Sequence, residues 1–232
     1  MTSSSALPRA IMSRSALAAC AAAAVEAGGR TADLRRDAWG HGVLAVAHAV
    51  TAAGASSVLV DRPTEVEALR LEGIDAVLDE QADIDADLLY GLPDGDGVLR
   101  TPPVMRLAGR VMSTKRLKAG DAVSYGYTHR AERDTVAALV TGGYAQGIVR
   151  ALGNQAHVEV EGRERPIIGR VAMDVCVVDL EGEDVPVDTE VTYFGGRGAA
   201  GPALARWSAV TGLTVAELVA VAGLHAERGW EA

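Results

Sequence analysis

The chain has 232 residues, 49% of them apolar and 23% charged, with a formal net charge of -9 at pH 7. That size and balance suit one large or two small globular domains and exclude a disordered polymer. The acidic excess, with no cluster of Lys or Arg to offset it, argues against affinity for nucleic acid or an anionic membrane surface.

From the N-terminus, Met1 to Ala6 is Ser-rich and reads as a frayed end. Ser13 or Ser15 can cap a helix running to about Ala27, where Gly28-Gly29 stops it. The Ala-rich run after Arg14 resembles a leader, but Cys20 and Glu26 interrupt it, so an amphipathic helix is expected. Thr31 to Leu34 is a strand candidate, followed by a loop, Asp37 to Gly42, and a helix from Val43 to Ala53. Ser57 to Val60 is the next strand. Pro63 and Thr64 open a helix with Glu67 in capping-box spacing from Thr64, and Asp75 to Leu78 is a third strand. This alternation predicts βα units with a parallel sheet. Asp79 to Asp87 reads as an acidic loop, Leu88-Leu89-Tyr90 as a short strand, and Gly91 to Gly97 as a linker.

After the linker the period changes to two. Met105 to Met112, Ala122 to Tyr127, Thr135 to Val140, a hairpin of Val158 to Val160 with Pro166 to Ile168, Val175 to Leu180 and Glu190 to Phe194 predict an antiparallel β domain. Two helices, Pro202 to Val210 and Thr214 to Ala222, and a polar tail complete the pattern. The expected division is therefore a βα part, residues 1–98, and a β part, residues 99–232. Cys20 and Cys176 fit no metal-ligand spacing and read as small buried apolar residues, which points to a reducing cytoplasm. No run approaches the ~18 apolar residues of a membrane span.

Three signatures stand out in the β part: Ser124-Tyr125-Gly126, Gly143-Tyr144-Ala145-Gln146-Gly147 and Gly169-Arg170-Val171-Ala172-Met173-Asp174. In this order and spacing they resemble the C-terminal domain of alanine racemase, a PLP-dependent family that interconverts L- and D-alanine. The βα part carries a second match. Leu34-Arg35-Arg36-Asp37-Ala38-Trp39-Gly40-His41-Gly42 is similar to the family's Val-Lys-Ala-Asp-Ala-Tyr-Gly-His-Gly, which ends the first strand of an eight-unit (β/α) barrel. The resemblance implies that Tyr125 stands at the family's second catalytic base, Met173 at its backbone donor to the substrate carboxylate, and Tyr144 at the tyrosine of Gly-Tyr-Ala-Asp-Gly, with Gln146 replacing the aspartate.

The departures from the family are chemical. Arg35 occupies the position of the lysine that forms the Schiff base with PLP, and a guanidinium offers no neutral amine. Lys115 and Lys118 are the chain's only lysines, both beside a predicted turn. Ile84 to Leu92 aligns with the family's last barrel strand, with Ile84 where an arginine faces the pyridine nitrogen and Asp85 and Asp87 set near an anionic phosphate. Near the C-terminus the resemblance puts Leu224 at the family's phosphate-contacting tyrosine. Between Val43 and Gly91 there is sequence for two or three strands, too few to close a barrel.

Taken without the resemblance, Tyr125 and Met173 are packing residues, and His41 is a loop residue supporting the helix that follows it. A second possibility is that Gly40-His41-Gly42 holds an anion at that helix N-terminus. With the resemblance, the expected protein is a non-catalytic alanine racemase paralogue with no cofactor. It would pair with a second copy or with a full-length alanine racemase through the β part. The alternative is a working PLP-dependent alanine racemase.

Overall fold

Ala10 and Met12 point inward from β1 (Arg9–Ser13), and Ser13 then turns the chain into α1 (Arg14–Glu26). Its hydroxyl accepts the Ala16 N–H at 3.3 Å, satisfying one of the four donors that a helix start leaves unpaired. The computed structural model describes residues 7–124 and 126–232.

Three short strands follow, β2 (Thr31–Asp33), β3 (Ser57–Leu59) and β4 (Ala76–Val77), parallel and in the order β2-β3-β4. Between β2 and β3 lie a five-residue turn, α2 (Arg35–Trp39), and α3 (Val43–Ala53); α4 (Pro63–Leu71) links β3 to β4. The cap of α4 differs from the sequence expectation. Glu65, not Glu67, reaches back, accepting the N–H groups of Asp61 at 3.2 Å and Arg62 at 3.1 Å.

The expected strand at Leu88 to Tyr90 is instead the end of a helical turn, α5 (Ala86–Tyr90). Its cause is local. Asp85 accepts the N–H groups of Asp87 at 2.9 Å and Leu88 at 3.1 Å, and that cap commits the next residues to helix. The aspartate is further fixed by Arg100, 2.8 Å away.

The long strand β5 (Met105–Leu117) opens the second half. A small ribbon of β6 (Ala122–Val123) and β7 (His129–Arg130) follows, then β8 (Thr135–Thr141), β9 (His157–Val160), β10 (Arg163–Ile168), β11 (Val175–Asp179) and β12 (Glu190–Phe194). Neighbouring pairs run β5-β8-β11-β10-β9-β12, all antiparallel, and β12 pairs back onto β5. The ring is closed, which removes the unpaired edges that an open sheet would present.

β5 also pairs with β1, Met12 opposite Met105, so the first strand of the chain extends the sheet outside the ring. After α6 (Ala203–Thr211) and α7 (Val215–His225), the expected polar tail is a strand, β13 (Glu227–Glu231), parallel to β1 with Arg9 opposite Glu227.

One apolar core runs through both halves, from Leu34, Val58 and Leu89 to Val140, Ile167 and Trp207. Phe194 meets Trp207 edge to face at 5.4 Å. Cys20 and Cys176 are free and buried as expected, and burial pushes the Cys176 thiol up to about 12. No single helix among the described residues is long and apolar enough to cross a membrane.

Candidate functional site

The chain leaves β2 at Asp33, whose carboxylate gathers the groups of residue 35. Asp33 Oδ1 accepts the backbone N–H of Arg35 at 3.0 Å and its Nε at 2.9 Å, while Oδ2 accepts Nη2 at 2.6 Å. The Asp33 side chain is 14% exposed and that of Arg35 52%. Hydrogen bonding to Asp33, and then its charge, hold the Arg35 proton above its ordinary value.

Arg36, Asp37, Ala38 and Trp39 then all adopt φ between 51° and 55°. For non-glycine residues this left-handed turn costs about 1–2 kcal/mol each, so it needs external support. Arg36 donates its N–H to the Asp61 carboxylate, Ala38 N–H meets Leu34 O at 2.8 Å, and Gly40 N–H meets Arg36 O at 3.0 Å. The Trp39 ring stacks on Tyr90 at 4.9 Å, and Tyr90 donates its hydroxyl to Asp33 O at 2.8 Å. Gly40 packs directly on Gly223 of α7: a Cβ on Gly40 would stand 2.6 Å from the Gly223 Cα.

Asp37 does two things. Its Oδ1 accepts the first N–H of α3, that of Val43, at 2.7 Å, and its carboxylate is ion-paired with Arg228 of β13. The anion at this helix N-terminus is therefore one of the chain's own carboxylates. His41 is fully buried, and the start of α3 is supported by Asp37 and not, as expected, by His41. Its Nδ1 lies 2.9 Å from Ala38 O, an atom that can only accept, so Nδ1 carries the proton. The ring tilts against Tyr90 at 4.6 Å, and burial drives its pKa down to about 4. Among the described residues no group of three His, Cys, Asp or Glu side chains is arranged to hold a metal ion.

In the β part the three signatures lock onto one another. Tyr125 lies outside the described residues, but its neighbours are held against the third motif. Ser124 Oγ donates to Arg170 O at 2.7 Å, and a Cβ on Gly126 would stand 3.2 Å from the Arg170 guanidinium. The second motif sits beside the third in the same way: Tyr144 N–H meets Ala172 O at 2.9 Å and Ala145 N–H meets Met173 O at 3.0 Å. Tyr144 and Met173 thus lie on adjoining backbone segments, 41% and 54% exposed.

Gln146 is 5% exposed and bridges the two motifs. Its Oε1 accepts the Gly143 N–H at 3.0 Å and its Nε2 donates to Asp174 Oδ1 at 2.9 Å. An aspartate here would lack that donor and would oppose Asp174 with a like charge. Gln146→Asp is accordingly expected to lose about 1–3 kcal/mol of stability. Urea unfolding of the wild type and the variant at neutral pH measures the loss.

Arg35 shares no hydrogen bond or ion pair with Tyr144 or Met173. Helix α7 packs against both sites, touching Gly40 through Gly223 and Gly147 of the second motif through Ala222. Sequence reading singled out Arg35 but missed Asp33, Asp61 and the Asp37–Arg228 pair. The alternation of acid and base at positions 33, 35, 36 and 37 was the one signal available for them.

The residues at the end of β2 do not fit PLP. Covalent attachment needs a neutral primary amine, and position 35 presents an ion-paired guanidinium. Lys115 and Lys118 are exposed in the β part, and Lys118 is paired with Asp134 at 2.7 Å. Ile84 is buried at the start of β2, its N–H on Thr31 O at 3.1 Å, and offers nothing to a pyridine nitrogen. Asp33 and Asp61 are both ion-paired at the strand ends, and their carboxylates would oppose a phosphate.

The profile described as alanine racemase, C-terminal domain, matches residues 104–229. Curated relatives include the alanine racemase of Mycobacterium avium (strain 104), 40% identical over 119 residues, which are 50% of this chain and 31% of that protein. The alanine racemase of Mycolicibacterium vanbaalenii is 49% identical over 86 residues, 37% of this chain and 22% of that one. The chain thus matches about a third or less of the length of these relatives. Among solved structures, the alanine racemase of Streptomyces lavendulae superposes with a TM-score of 0.83 at 18% identity, covering 99% of this chain and 98% of that one.

Proposed function

Because the chain belongs to the alanine racemase family, with the match in that family's C-terminal domain, we propose that it is a non-catalytic member that keeps the β part as a pairing and site-completing module. The observation that carries this reading is the bidentate Arg35–Asp33 ion pair at the position of the family's lysine, set against the interlocked Tyr144, Gln146 and Met173 motifs.

On this reading residues 1–98 are the remnant of a (β/α) barrel reduced to three parallel strands, and residues 99–232 are the retained C-terminal part. The division is one of ancestry, since the core is shared. Tyr125, Tyr144 and Met173 are the residues we assign to the partner-facing site, and the reducing cytoplasm is the compartment we assign. The partner is a second copy or a full-length alanine racemase.

Titration of the purified chain with PLP, followed by borohydride reduction, tests the central claim. The expected result is no absorbance band of lysine-bound PLP beyond slow labelling of Lys115 and Lys118. A saturable band at stoichiometric PLP, with racemisation of alanine, would establish the alternative reading, a working PLP-dependent racemase. Size exclusion after co-expression with a full-length alanine racemase tests the pairing: co-elution or a homodimer is expected, and a monomer in both experiments counts against it.

A further inference from the structure

The neighbour of position 35, Asp33, is a carboxylate paired with its side chain. We propose that Asp33 is the residue that excludes a lysine-bound carbonyl cofactor from the end of β2, by keeping any amine at position 35 protonated and paired. This rests on the reading above that Arg35 stands where the family's lysine does.

Asp33 is held independently of the Arg35 side chain. It is the last residue of β2, in register with Leu59 of β3, and its carbonyl receives the Tyr90 hydroxyl at 2.8 Å. The next residue is tied down too, with Leu34 N–H on Leu59 O at 2.8 Å. Asp33 Oδ1 takes the backbone N–H of residue 35 at 3.0 Å, a bond that does not involve the Arg35 side chain. The carboxylate is therefore held at the end of β2 beside residue 35, and with Arg35 there it is 14% exposed.

Asp61 is the second acid that acts on this position. Its carboxylate receives the N–H of Arg36 and lies 4.0 Å from the Arg36 guanidinium, so its charge is partly answered. Arg62, next to Asp61 in the chain, is paired with Glu65 at 2.5 Å. Asp33 is left as the dominant neighbour of position 35. An opposite charge at this range raises an amine's pKa by about 1–3 units, and each unit lowers the fraction of neutral nucleophile tenfold.

The test uses the full chain with Arg35→Lys and with the double substitution Asp33→Asn, Arg35→Lys. Asparagine keeps the size of Asp33 and its acceptor for the residue 35 N–H while removing the charge. Each protein is incubated with PLP, reduced with borohydride and mapped by mass spectrometry, with Lys115 and Lys118 as internal references. The single variant is expected to label position 35 no more than Lys115, and the double variant at least about tenfold more. Equal labelling at position 35 in the two variants, whether high or absent, overturns the proposal.

An independent readout is the titration of the introduced amine, followed by NMR after 13C reductive methylation. It should titrate at least about one unit higher beside Asp33 than beside asparagine, and coincident curves overturn the assignment. Thermal melts of both variants confirm that folded proteins are compared. Wild-type chain that forms a stoichiometric PLP complex would refute the non-catalytic reading, yet leave the comparison of the two variants intact.

Discussion

Acidification from neutral pH to pH 4 is expected to cost the fold about 3 kcal/mol through His41 alone. Folded His41 takes up a proton only at about 4, against an ordinary value of 6.5. Between those values the unfolded chain binds more protons than the folded one, so stability rises with pH across the window. The contribution is complete above 6.5 and is lost as pH falls toward 4. The cause is burial: the ring is fully enclosed against Tyr90, Nδ1 donates to Ala38 O, and Nε2 has no partner among the described residues. Urea midpoints for the wild type and His41→Asn from pH 4 to 7 isolate the effect, because carboxylates contribute equally to both curves. The variant curve should be flatter by most of that amount. Parallel curves, or an imidazole that titrates near 6.5 by NMR in the folded wild type, would sink the argument.

The second large effect is steric. Gly143→Ala is expected to destabilise the chain by about 3 kcal/mol or more. Gly143 has φ of -150°, a conformation open to any residue, so backbone strain plays no part. The difficulty is that an added Cβ would overlap the carbonyl oxygens of Met173 and Ala172, the atoms that receive the N–H groups of Ala145 and Tyr144. A methyl group there would separate the second and third motifs. Gly162→Ala makes the control, since φ is +78° but nothing lies within 4 Å; it should cost only about 1–2 kcal/mol. If both variants lose the same amount in thermal or urea unfolding, the motifs are not in the contact described.

What could be read ahead of the structure follows the range of the interactions. Ser13 as the cap of α1 and the hairpin turning at Glu161-Gly162 are local, and the sequence shows them; φ of +50° and +78° at that turn is the two-residue geometry that suits a twisted hairpin. The left-handed turn was not visible, because Arg36 to Trp39 contains no glycine and its support comes from Asp61, Tyr90 and α7. Leu88 to Tyr90 read as a strand because the apolar run outweighed the Asp85 cap three residues earlier.

Strand β13 was unreadable for another reason. Its Glu and Arg residues look like a tail, and what orders them is distant in sequence: the parallel register with β1, Arg9 to Ser13, and ion pairs of Arg228 with Asp37 and Glu231 with Arg106. Of the site, the motif order, Arg35, Ile84 and Gln146 were legible as departures from a family pattern. The consequence of Gln146 was not, since its partner Asp174 is 28 residues away. Nor was Asp33, whose meaning depends on the direction the chain takes after β2.

The sharing of β5 bears on how the molecule could be dissected. On one side it carries β12; on the other, β1 runs along Met105 to Ala108 before β8 takes over from Val111. A fragment beginning after residue 98 would lack β1, and β13 would lose its parallel partner with it. The backbone of Met105 to Ala108 would then be bare on one side, next to an otherwise sealed ring. Such an unprotected edge recruits other chains. Expressed alone, the half that carries the family signature should therefore aggregate more than the full chain, in which β1 covers that edge.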